Sequence, residues 1–179
     1  MSMASKPKVL SSDEIHDRIQ LLYQATTDDA DAVCVIVSTS FLESALRGLL
    51  RKHFVNGSTA EGLLKPTGGA LGALHHATCA AYCMGLISKE FMQNIETVGN
   101  IRNQFAHSID EMTFDDPEVS NWCKSLHVPH RTGVLITEDI AAREKFVEIV
   151  CEMCHDLLDL AMISTTHAES PKDRWEPCK

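Results

Sequence analysis

Apolar residues return roughly every three to four positions through most of the chain, and the places where that rhythm breaks mark out its elements. Ile15, Ile19 and Leu22 follow the capping run Ser11-Ser12-Asp13-Glu14 and predict a short first helix to about Tyr23. Asp28-Asp29-Ala30-Asp31 then sets carboxylates at the positive end of a second helix, in which Val35, Leu42, Leu46 and Leu49 recur to about His53. Residues 33–37 are rich in β-branched side chains. No turn signal separates them from the helical pattern of 41–51, so they read as helix too.

Asn56-Gly57, Gly62, Pro66 and Gly68-Gly69 make residues 54–70 a loop that is long for a compact domain. Residues 71–84 read as a helix ended by Gly85, and Ser88 can cap the next one, whose stripe is Phe91, Ile95, Val98, Ile101 and Phe105. Asp116-Pro117-Glu118 signs a short helix, and residues 128–133 are turn-rich with room for a small extended piece. Thr137-Glu138-Asp139 opens a last helix with Phe146, Val150, Met153, Leu157 and Ala161 on one face. The expectation is an all-α helical bundle of about five to six helices. Residues 1–163 should form a single domain, with 164–179 a frayed tail.

A chain of 179 residues that is 44% apolar suits one substantial core. It has no apolar run of about eighteen residues, and its first twelve lack the apolar stretch of a signal peptide. This argues against a membrane partner and against export, and places the protein in the cytoplasm. Seven cysteines, several at apolar-periodic positions, read as reduced and buried. With 25 acidic against 16 basic residues the net charge is −9, which excludes a protein that wraps nucleic acid by charge alone. A nucleic-acid partner would require a local basic cleft, for instance one assembled from two chains.

Several motifs dissolve on inspection. Cys151-Glu152-Met153-Cys154-His155 has the spacing of c-type haem attachment but sits inside a strongly periodic helix, where buried thiols are the expectation. His75, Cys79 and Cys83 share a helical face and could begin a zinc site with His76, but a second ligand pair would require Cys151 and Cys154 to lie against them. No metal and no cofactor is expected. Gly68-Gly69-Ala70-Leu71-Gly72 lacks both the Gly-Lys-Ser/Thr ending and the strand of a phosphate loop, so it reads as a turn. Neither a Gly-x-Ser-x-Gly elbow nor a recognisable helix-turn-helix is present.

The segment Ile101-Arg102-Asn103-Gln104-Phe105-Ala106-His107 is different. At about 100° per residue Glu96, Asn100, Asn103 and His107 fall on one polar stripe, while Arg102 lies about 40° from Val98 and flanks the core. A half-buried arginine calls for a carboxylate, and Glu43 or Glu96 can supply it. Glu43, Glu96, Asn100 and Arg102 are therefore a candidate polar cluster: either a structural ion pair beneath a solvated stripe, or a site for phosphate or RNA.

Phe41-Leu42-Glu43-Ser44-Ala45-Leu46, Leu63-Leu64, the glycine-rich turn that follows it, Tyr82-Cys83-Met84-Gly85-Leu86-Ile87, residues 101–107 and Phe114-Asp115-Asp116-Pro117 together resemble the mannitol operon repressor family across roughly residues 33–125. That resemblance implies an all-helical, dimeric, non-enzymatic transcriptional regulator that represses directly or through a protein partner. Arg102-Asn103 with His107 also resembles the Arg-x4-6-His signature of HEPN domains, many of them metal-independent ribonucleases. On that resemblance His107 would be the acid or base, Arg102 would stabilise phosphate charge and Asn103 would orient one of them. In a continuous helix Arg102 and His107 project about 140° apart. They converge only where the helix ends near Phe105 or where two chains share the site.

Overall fold

A computed structural model describes residues 12–27, 30–108, 112–128 and 140–164. Seven helices occur among them: α1 Ser12–Thr27, α2 Asp31–His53, α3 Ser58–Leu64, α4 Leu74–Cys83, α5 Lys89–His107, α6 Pro117–Ser125 and α7 Ala142–Ile163. No strand occurs among the described residues, in keeping with the all-α expectation. The extended piece anticipated near 128–133, the opening of the last helix at 137–139 and the frayed tail from 165 lie outside the described residues.

The expected count of about five to six helices falls short because of α3. It lies inside the stretch expected to be a loop, and only Ala60 and Leu64 anchor it in the core, too few positions to show a period. The helix expected from Leu71 starts instead at Leu74. Residues 69–72 fold back onto the end of α3, with the Leu71 amide donating to the Leu63 carbonyl at 2.8 Å and the Gly69 amide to that of Lys65 at 3.1 Å. A side chain at Gly72 would collide with the Lys65 carbonyl, so the glycine is there for close backbone approach. At the other end of α4, Gly85 has φ +70. The Leu86 amide reaches the Ala81 carbonyl and the Gly85 amide reaches that of Tyr82, the double closure of a Schellman turn.

The core forms around α2, which packs against α1, α3, α4, α5 and α7. By length and composition alone α2 could cross a membrane, and half of its most apolar window is buried inside the bundle. Serving several neighbours at once is what makes it apolar on more than one face. Leu42, Leu46 and Leu50 of α2, Ile95 and Ile101 of α5, and Phe146, Ile149 and Val150 of α7 are shut off from solvent. Ser88 caps α5 by accepting from the Phe91 amide at 3.2 Å.

Asp31, in the first turn of α2, holds the upper end of the bundle. One carboxylate oxygen accepts from Arg143 of α7 at 2.6 Å and the other from the Phe114 amide at 3.0 Å. The same guanidinium donates to the Thr26 carbonyl near the end of α1 at 2.9 Å. Asp31→Ala leaves both donors without their acceptor and is expected to cost about 2–3 kcal/mol in urea unfolding, less than a wholly buried pair because both side chains keep some exposure. A loss below about 0.5 kcal/mol, typical of a surface change, would remove this junction from the account.

Candidate functional site

A cleft of about 610 Å³ opens between α2, α4 and α5, and its walls carry most of the polar residues singled out in the sequence. Glu43 comes from α2; Glu96, Asn100, Arg102 and Asn103 come from α5; His75 and Thr78 come from α4. The geometry follows from α5 itself. Ile95, Val98, Ile101 and Phe105 are buried, so the residues between them must face outward. The motif segment therefore divides by side: Ile101 and Phe105 belong to the core, whereas Arg102, Asn103 and His107 are exposed.

Two expectations need correction. Arg102 is exposed, not half-buried, and its guanidinium donates to the neighbouring Asn103 side chain at 3.0 Å. Glu43 pairs instead with Arg47, one turn along α2, at 3.4 Å. That partner was visible as an i,i+4 spacing, which ordinarily brings acid and base together on a helix. The helix runs without a break to His107, so the condition for convergence within one chain, an end near Phe105, is not met. His107 stands exposed at the end of α5 and does not line the cleft.

The cysteine motifs resolve into packing. Cys151 and Cys154 are buried on α7, and burial pushes the Cys151 thiol up to about 12 and that of Cys154 in the same direction. A thiol that resists ionisation is a poor nucleophile and a poor metal ligand. The Cys79 thiol lies 3.7 Å from His75 on the outer side of α4, and among the described residues no three His, Cys, Asp or Glu side chains are grouped to hold a metal ion.

Sequence reasoning missed Asn94. It is buried on α5, and its amide pairs both ways with the His127 backbone, donating at 2.9 Å and accepting at 2.8 Å. This fixes the end of the α6 segment against α5. Position 94 falls next to the apolar stripe, and that was the only local signal for it.

A family model described as Mannitol repressor, MtlR, matches residues 17–165, from within α1 to just past α7. Among solved structures, a chain in the X-ray structure of the MtlR-HPr complex from Escherichia coli is similar, with a TM-score of 0.62 and 20% identity over 80% of this chain and 98% of that one. At that identity the likeness establishes the fold. No curated protein matches the sequence. The family match spans most of the chain and reaches well beyond the segments that first suggested the resemblance, so the chain belongs to the mannitol repressor family.

Proposed function

We propose that the protein is a non-enzymatic, cytoplasmic regulator that acts in transcriptional repression through a protein partner, with HPr the leading candidate, and that it works as a homodimer. The observation that carries this reading is family membership, joined to a fold shared over 98% of a chain that was solved in complex with HPr. The net charge of −9 and the lack of a recognisable reading helix favour a partner protein over direct DNA contact. Support for the dimer is more general: two-fold oligomers are common, and Leu21, Val33 and Ile36 are large apolar side chains exposed on α1 and α2.

The α2–α4–α5 cleft is the proposed contact face, because its exposed polar groups have no duty in the core. Arg102→Ala should change stability by less than about 0.5 kcal/mol, since the residue is exposed and, among the described residues, bonds only to its neighbour. The same change should weaken HPr binding about tenfold in calorimetry. Failure of the wild type to bind HPr at about 100 μM would overturn the partner reading. The wild type is also expected to leave RNA intact. Chelator-insensitive cleavage that disappears in a folded His107→Ala variant would replace the regulator with a ribonuclease of the HEPN type.

A further inference from the structure

On another face of α2 a second cavity, about 790 Å³, runs between α2, the end of α3 and the C-terminal half of α7. Among the described residues its lining includes four cations, Arg18, Arg47, Arg51 and Lys52, and no carboxylate, in a chain where acids outnumber bases by 25 to 16. Chance placement on such a surface would favour the opposite sign. Between the cations the walls are apolar, with Phe41, Leu64, Leu158 and Met162 among them. We propose that this groove is a binding site for a small amphiphilic anion, an acyl or aromatic body carrying a carboxylate or phosphate head.

Three features point to such a ligand. The volume lies within the range of roughly 300–1,000 Å³ typical of small-molecule sites, and a mostly apolar lining with a few charged groups is their usual make-up. The charge is only partly spent: Arg47 pairs with Glu43 and Arg51 with Glu61, while among the described residues neither Arg18 nor Lys52 has a carboxylate at ion-pair distance. Finally, Gly48 lines the groove in the middle of α2, and a methyl group added there would meet nothing within 4 Å. Glycine inside a helix is destabilising relative to alanine. No close backbone approach requires it here, so what it provides is room in the groove.

The test uses anilinonaphthalene sulfonate as a fluorescent amphiphilic anion on the full-length protein, with decanoate and decyl phosphate as competitors. The expected result is saturable dye binding at one site per chain, displaced by at least one of the two competitors, whose ranking identifies the preferred head group. Lys52→Glu and Arg18→Glu should each lower affinity about tenfold with an unchanged helical spectrum. Gly48→Phe should abolish binding by filling the groove, whereas Gly48→Ala should keep it. Undiminished dye binding in Lys52→Glu and Gly48→Phe would overturn the site, as would equal displacement by uncharged decanol. Displacement by an acidic amphipathic peptide but by neither decanoate nor decyl phosphate would assign the groove to a protein helix. Dye release as chains associate would assign it to a second copy. Either of these last two outcomes also overturns the proposal.

Discussion

Raising the pH from about 8 to about 10.5 should strip several kcal/mol from the stability of the fold, and buried thiols should account for most of the loss. Burial pushes Cys123 and Cys151 from an ordinary value of 9.0 up to about 12, and desolvation moves Cys34 and Cys154 the same way. For Cys34 the nearby Arg143 offsets part of that rise. The unfolded chain ionises these thiols first, so between about 9 and about 12 it binds fewer protons than the native state, and stability falls as pH rises. Below about 9 the contribution is intact. Each fully shifted thiol removes about 1.4 kcal/mol per pH unit within the window, so Cys123 and Cys151 alone remove about 4 kcal/mol by pH 10.5. Against a total of roughly 5–15 kcal/mol this is a large share. Urea unfolding across that range measures it. The Cys123→Ala, Cys151→Ala double variant should show a shallower decline, and an unchanged slope would show that other groups dominate.

Phe146→Ala should cost about 3–5 kcal/mol. The ring is fully buried on α7 and stands 5.3 Å from Phe114, which in turn stands 5.6 Å from Phe105 of α5. The end of α5, the turn before α6 and α7 meet at this row, so truncation leaves a cavity whose walls cannot all close in, and it also removes a ring contact worth about 0.5–1.5 kcal/mol. Phe146→Leu keeps most of the volume and should lose under about 2 kcal/mol. Urea midpoints at constant m-value separate these expectations. A Phe146→Ala loss no larger than that of Phe146→Leu would mean that the site collapses freely.

Much of the fold could be read locally. The Ser88 cap and the five-residue stripe of α5 lie within twenty residues of one another, and each is a nearest-neighbour effect. Angular position on α5 also separated Ile101 and Phe105 from the polar residues correctly. It erred on Arg102 because an angle from Val98 does not say whether a neighbouring helix covers that flank, and here the flank borders an open cleft. The missing helix α3 is too short for a period to emerge, and Gly62 within it imitates a loop. The cations of the second groove carry no local sequence signature, since Arg18 and Arg47 belong to different helices whose packing no local pattern reports. Glu43, Glu96, Asn100 and Arg102 line one cleft, and Glu43 pairs within its own helix with Arg47 rather than across to Arg102.

The junction at Asp31 bears on the order in which the chain can assemble. Its carboxylate bridges to residues 83 and 112 positions further along, so neither bond exists until those segments have left the ribosome. α1 and α2 can pair early as a local hairpin, but the faces they keep for α7 stay wet until α7 has been synthesised. During that interval the apolar α2 is the segment most exposed to mispairing with other nascent chains. Arrival of Arg143 then draws the ends of α1 and α2 onto α7 in one step, which makes completion of the bundle a late and concerted event.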